Sequence, residues 1–288
     1  MSQTSRIDAD TKLYCLIGDP VSHSLSPLMH NAAFQEMGIN AVYVTFNVRS
    51  RGLGEAVKGM TALGFAGVNV TTPHKVKVID YIQELDESAE LVGAANTLVV
   101  GDVGWVAHNT DVRGVIAVLQ ASDVPLSSCK SVVFGTGGGA KAVVAVLLAR
   151  GCSHITVLGR NADHVRAFVQ DASRRHGTQI EGSMNSLEEV SSSLKRADLV
   201  VNATPVGMHP HAYESIVSPE LLHSRMTVFD LVYRPRETAL LRQAALKGAR
   251  TIGGVEMLVE QGAASLELWL GREAPRDVMR KALERALG

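Results

Sequence analysis

A chain of 288 residues is past the size at which one hydrophobic core usually suffices, so two domains are expected. With 46% hydrophobic and 20% charged residues it has ample core, and a formal net charge of -1 offers no basic excess for nucleic-acid phosphates or an anionic membrane. Cys15, Cys129 and Cys152 are odd in number and lack metal-ligand spacing, which suits a reducing compartment. Together with a polar start and no long apolar run, they lead to the expectation of a cytoplasmic chain.

Short β-branched runs alternate with longer amphipathic ones. KLYCLIGD predicts a strand ending near Gly18, SPLMHNAAFQEMG a helix closed by Gly38, and AVYVTFNV a second strand. GLGEAVKGMTALG and FAGVNVT follow as helix and strand, so the β-α-β-α-β order predicts a mostly parallel sheet. In VSHSLSPLMH, Ser26 reads as the N-cap and Pro27 as the first helical residue. Pro27 also biases Ser26 toward an extended backbone, which would aim the Ser24 and Ser26 hydroxyls the same way, beside a helix N-terminus that favours an anion.

His108 to Lys130 reads as a helix and a polar connector crossing between domains. The alternation then restarts with SVVFG, a glycine cluster, AKAVVAVLLARG, HITVLGR, a helix around ADHVRAFVQDASRRHG, then ADLVVNAT and MTVFDLVY. GVEMLVEQGAASLELWLG and APRDVMRKALERAL close the chain as two helices.

Gly135, Gly137 and Ala140 have the G-x-G-x-x-G/A spacing between a predicted strand and a predicted helix. The first glycine permits a tight turn, the second lets the backbone approach a pyrophosphate, and the alanine lets helix and strand pack closely. The next strand ends on Gly159, Arg160 and Asn161 without the acid that would bind a ribose diol. Arg160 can pair with a 2′-phosphate, so the expected cofactor is NADP; the bland reading is a solvated loop arginine.

GVNVTTPHK places Asn69 and Thr71 two apart on a strand, with Lys75 beyond Pro73; GAANTL supplies Asn96 and HNTD supplies Asp111. At strand ends these residues suit the mouth of an open α/β sheet. Singly they also read as turn formers, a β-former, a surface charge and a helix N-cap.

Taken together, HSLSP, NVTTPHK, GAANTL, HNTD, GTGGGA, NATPVGM, DLVYRPRET and GGVEMLVEQ closely resemble the shikimate dehydrogenases, from about Leu13 to Gly288. The resemblance implies an α/β chain of two domains. Residues 1–111 and 253–288 form a mostly parallel substrate domain completed by the C-terminal helices, and 112–252 form an inserted Rossmann NADP domain, with the site in the cleft. It implies reversible NADP-dependent reduction of 3-dehydroshikimate to shikimate, in aromatic amino acid biosynthesis.

Carried over, Ser24 and Ser26 would bind the substrate carboxylate, and Asn69, Thr71, Asn96, Asp111 and Gln261 the ring hydroxyls, with Tyr233 near the cleft. Lys75 and Asp111 would be the catalytic pair. Gly135, Gly137, Gly138, Gly139, Ala140, Arg160, Asn161 and Thr204 would bind NADP. No zinc spacing is seen, so protein groups must handle the proton. Lys75 would take it in oxidation and return it in reduction, with Asp111 positioning Lys75.

Glu256 stands where the family commonly has glycine, Asn161 where threonine is frequent, and His164 where a second basic residue often sits. The resemblance implies a small-molecule partner, neither nucleic acid nor membrane, and is compatible with a homodimer. The alternatives are a quinate or dual quinate/shikimate dehydrogenase, a methylene-tetrahydrofolate dehydrogenase of similar plan, and a non-catalytic NADP-binding sensor. Retention of both Lys75 and Asp111 weighs against the sensor.

Overall fold

The structure is a computed structural model that describes residues 7–152 and 154–288. The chain forms two compact units, one running up to Arg113 and taking in Val259–Gly288, the other Gly114–Leu258.

In the first unit β1 (Lys12–Gly18), α1 (Ser26–Glu36), β2 (Ala41–Asn47), α2 (Leu53–Ala62) and β3 (Gly67–Val70) follow the alternation expected from the sequence. Between Thr71 and His108, where no element was expected, lie β4 (Glu84–Leu85), α3 (Glu87–Val92), β5 (Thr97–Gly101) and β6 (Gly104–His108). The sheet order is β2-β1-β3-β5-β6-β4, with β5 alone running against its neighbours. The reversal has a geometric consequence. The C-terminal ends of β1, β3 and β6 and the start of β5 meet at one end of the sheet, with Asn69 opposite Thr97 and Thr97 opposite His108.

Helix α4 (Asp111–Ala121) starts directly beyond that edge and carries the chain into the second unit. There β7 (Lys130–Phe134), α5 (Gly138–Ala149), β8 (His154–Gly159), α6 (Ala162–His176), β9 (Glu181–Met184), α7 (Leu187–Leu194), β10 (Leu199–Asn202), β11 (Thr227–Asp230), α8 (Ala239–Leu246) and β12 (Arg250–Ile252) alternate. All pairings are parallel and the order is β12-β11-β10-β7-β8-β9, the doubly wound Rossmann arrangement. Its strand order reverses between β7 and β10, the crevice where such sheets bind dinucleotides. The fully buried VVF and LVV runs of β7 and β10 are what a sheet covered on both faces requires.

Helices α9 (Gly254–Leu270) and α10 (Arg276–Leu287) end the chain. From Val259 onward α9 belongs to the first unit, where Trp269 lies over Gly67 and its indole N–H donates to the Leu98 carbonyl at 3.0 Å. A Cβ at Gly67 would come within 2.4 Å of that indole, so close helix-to-sheet packing depends on this glycine. His30, one of the two histidines flanking the serine motif, is a packing residue: it is fully buried and stacks on Tyr43 at 4.4 Å. Burial pushes its pKa down to about 3, so the ring is neutral. Glu256, noted above in the place of a common glycine, sits exposed in the first turn of an uninterrupted α9, the end at which an acid favours the helix dipole. Among the described residues no helix is long and apolar enough to cross a membrane.

Candidate active site

The serine motif departs from expectation. Ser26 is the first residue of α1 and not its N-cap; Leu25 occupies the cap position, with no side-chain bond to the helix amides. Pro27 therefore sits one residue deeper than predicted. The segment before α1 is not extended either, because the Ser24 N–H donates to the Val21 carbonyl at 3.1 Å in a turn. Within that turn Ser24 Oγ accepts from the Ser26 N–H at 3.2 Å, and Ser26 itself is buried. Local turn bonding outcompeted the bias Pro27 places on its predecessor. Ser22 is exposed.

Tyr43, in β2, is buried beside Asn69. Its hydroxyl donates to Asn69 Oδ1 at 2.8 Å, and burial holds the phenol well above its usual pKa. Asn69 Nδ2 faces the Asn96 carbonyl at 3.1 Å, Thr97 Oγ1 at 3.1 Å and Ser265 Oγ at 3.0 Å. Strand β3 ends at Val70, so Thr71 lies one residue past the strand, though its N–H still donates to the Ile17 carbonyl at 2.9 Å. Its methyl packs where Gly18 has no side chain, 2.4 Å from the position a Cβ would take.

Asn96 is the hub of the site. Its Oδ1 accepts from the Thr110 N–H at 2.8 Å, Thr110 Oγ1 at 3.1 Å and Thr97 Oγ1 at 3.0 Å. Its Nδ2 then faces Asp111 Oδ1 at 3.0 Å, Gln261 Oε1 at 3.2 Å and Thr110 Oγ1 at 2.9 Å. Asp111, the first residue of α4, is 3% exposed, and Lys75 Nζ donates to its Oδ2 at 2.5 Å. Lys75 is a half-buried side chain with its backbone tied down, since its carbonyl accepts from the Ala95 N–H at 2.7 Å. The preceding His74 is buried, with Nε2 2.6 Å from the Val48 carbonyl. A partly exposed ammonium thus stands on a buried carboxylate whose second oxygen is held by an amide, an arrangement able to deliver or take a proton at one fixed point.

Thr97, Thr110 and Ser265 were not expected. Their hydroxyls lie within 3.2 Å of one another, all buried. Thr110 stands inside HNTD, and Ser265 is four residues past Gln261, whose carbonyl accepts its hydroxyl at 3.0 Å. Helical spacing could have flagged Ser265; nothing local marks Thr97.

In the second unit Gly135 adopts φ +115°, and a Cβ there would lie 2.8 Å from the Ala203 carbonyl oxygen. Gly135→Ala is therefore expected to lower stability by about 1–3 kcal/mol, read by thermal unfolding. A Cβ at Gly137 would meet nothing within 4 Å, so the backbone is open to a ligand there. Gly138 and Gly139 open α5, Ala140 is buried, and the first turn carries no acid to repel a pyrophosphate. These features fit an anionic dinucleotide. Arg160 is exposed immediately beyond β8. Asn161 is the N-cap of α6, its side-chain oxygen accepting from the Asp163 and His164 N–H groups at 2.9 and 3.0 Å, and His164 is exposed. Thr204 lies past β10, its hydroxyl donating to Asn202 Oδ1 at 2.7 Å; Tyr233 is half-buried in the loop after β11.

The sequence profile for the shikimate dehydrogenase substrate-binding domain matches residues 16–98, that for shikimate/quinate 5-dehydrogenase residues 118–239, and that for the shikimate 5′-dehydrogenase C-terminal domain residues 254–284. The shikimate dehydrogenase (NADP(+)) of Methanothermobacter thermautotrophicus is 41% identical over 283 residues, spanning 98% of this chain and 99% of its own. A crystal structure of a shikimate dehydrogenase in complex with NADP+ superposes with a TM-score of 0.90 at 36% identity, over 99% of this chain and 98% of that one. The quinate dehydrogenase of Corynebacterium glutamicum in complex with NAD superposes at 0.85 with 30% identity, over 96% and 99%.

Proposed function

This chain belongs to the shikimate dehydrogenase family of oxidoreductases, and from that premise we propose that it catalyses the reversible NADP-dependent reduction of 3-dehydroshikimate to shikimate. The observation that carries the reading is the Lys75–Asp111 pair locked to Asn96 and, through it, to Gln261.

Reduction of a ring ketone leaves negative charge on its oxygen and needs a proton there. NADPH, when bound, supplies the hydride. Lys75 donates the proton from an ammonium that Asp111 orients, and takes it back when the alcohol is oxidised. Asn96, Asp111 and Gln261 receive ring hydroxyls, joined by Thr71 and by the lone pair of Asn69 Oδ1 that Tyr43 leaves open. Buried amides and carboxylates that are already cross-bonded are held in place before the substrate arrives. Ser24 and Ser26 lie at the start of α1, whose amide end favours the substrate carboxylate. The Gly135–Ala140 backbone would hold the pyrophosphate, with Arg160 on the 2′-phosphate and Asn161 and Thr204 alongside.

Ser24→Ala is expected to raise KM for shikimate about tenfold, the scale of a lost hydrogen bond to a charged group, with little change in Tm. Ser26→Ala should raise KM in the same way with little change in Tm, since Ser26 is not the N-cap of α1. Steady-state kcat/KM for shikimate and for quinate, each with NADP+ and NAD+, tests the whole reading. A preference for quinate would favour the second reading, a quinate or dual enzyme, which the likeness to the Corynebacterium glutamicum protein keeps in view. No turnover of either substrate would sink both. Cytoplasmic location and a homodimeric assembly are proposals of the same reading, the second measured by sedimentation velocity.

A further inference from the structure

One buried carboxylate in the second unit has no part in the roles above. Asp230 ends β11 with no exposed surface. Three donors from three segments converge on it. Asn202 Nδ2, at the end of β10, and the Val232 N–H reach Oδ1 at 2.9 and 3.0 Å, and the Thr238 hydroxyl reaches Oδ2 at 2.6 Å. All three are uncharged, and burial without a counter-charge pushes the Asp230 pKa up to about 6.

The bond to Asp230 sets which way the Asn202 amide faces. With Nδ2 on the carboxylate and on the Val206 carbonyl at 3.0 Å, Oδ1 is left to accept the Thr204 N–H at 3.1 Å and its hydroxyl at 2.7 Å. The loop after β10 is pinned in this way, and it is the wall of the glycine turn. The site of a Cβ at Gly135 is 2.8 Å from the Ala203 carbonyl oxygen and 3.3 Å from Thr204 Cγ2. The loop after β11 walls the other side, since Leu231 lies 3.1 Å from the site of a Cβ at Gly139. Thr238 in turn caps α8 by accepting the Leu241 N–H at 3.3 Å. One carboxylate therefore sets both neighbours of the glycine cluster, at the point where the strand order reverses.

We propose that Asp230 is a positioning residue for the dinucleotide: through Asn202, Thr204 and Leu231 it holds the loops after β10 and β11 against Gly135 and Gly139, shaping the cradle for the pyrophosphate. The inference rests on the NADP-binding part of the functional reading. An ionised carboxylate accepts through both oxygens, whereas an asparagine offers one oxygen to the same three donors.

The test is calorimetric titration of the full chain with NADP+ in the absence of any substrate, so turnover plays no part in it. Asp230→Asn and Thr238→Val are each expected to weaken NADP+ binding about tenfold, the scale of one buried hydrogen bond mispaired. In steady-state assays at saturating NADP+, kcat should stay within about threefold and KM for shikimate should not move. Val228→Ala, in the buried core of the same strand, is the control: it should lower Tm and leave the NADP+ affinity as in the wild type. The inference is overturned if folded Asp230→Asn or Thr238→Val binds NADP+ like the wild type. It is equally overturned if Val228→Ala weakens binding as much as they do, since affinity would then merely follow stability. Should Asp230→Asn not fold, Thr238→Val alone decides. A wild-type chain that turns over shikimate but binds no NADP+ overturns the inference while leaving the dehydrogenase reading intact. No turnover with tight NADP+ binding does the reverse.

Discussion

Lys75→Ala is expected to lower kcat ~10²–10⁴-fold, the range over which a positioned proton donor usually acts. The geometry makes the loss one of chemistry more than of binding. Lys75 Nζ reaches Asp111 Oδ2 at 2.5 Å, while the ring-hydroxyl partners Asn96 and Gln261 hold each other independently of it. Removing the ammonium leaves Asp111 buried beside one amide, so some stability is lost with it. Lys75→Met, which fills the same space without charge, separates that cost from the catalytic one. Both variants should bind shikimate within a few-fold of the wild type, because a group acting mainly in the transition state changes kcat more than KM. A fall of less than about tenfold in kcat for both would remove Lys75 from the proton-transfer role. Asp111→Asn should reduce kcat as well, since it takes away the charge that orients the ammonium.

Arg160→Ala should erase most of the preference for NADP+ over NAD+. Hydrogen bonds to a charged group are worth about 1.5–3 kcal/mol, so the ratio of kcat/KM for the two cofactors should drop about 10–100-fold. Other groups near this point contribute little competition. The Asn161 side-chain oxygen is committed to capping α6, and His164 is an exposed side chain. Affinity for NAD+ should change little, because it has no 2′-phosphate to lose. A cofactor ratio that stays within twofold of the wild type would refute the assignment of Arg160.

The two strongest readings from the sequence were local in origin. Gly135 and Gly137 needed only their spacing between an apolar run and a helix, because a left-handed turn and an open backbone leave few choices besides glycine. The alternation of strands and helices was legible for a similar reason, except between Thr71 and His108. There β4 is two residues long, and β5 and β6 form a hairpin through Gly101 and Gly104 without a long apolar run. Four elements of the second unit were also unforeseen, β9, α7, α8 and β12. The strands are short and partly exposed, and the helices span eight residues each. The serine motif shows the opposite failure: each local rule was sound, yet turn bonding displaced Ser26 into the helix by one residue.

By itself the sequence determined the residue types at the strand ends, the glycine turn and the absence of an acid after β8, since each of these is a property of a few adjacent residues. Only the tertiary structure decided that Asn96 is the hub and that Thr97, Thr110 and Ser265 support it. Ser265 reaches Asn69 across 196 positions of sequence. Such a contact exists because β5 runs backwards through the sheet and α9 returns to it, and no local pattern encodes where a chain comes back to. The same holds for Asp230. Asp230 stands unmarked inside the MTVFDLVY run, and only the parallel pairing of β10 with β11 brings Asn202 beside it and gives a buried carboxylate its donors.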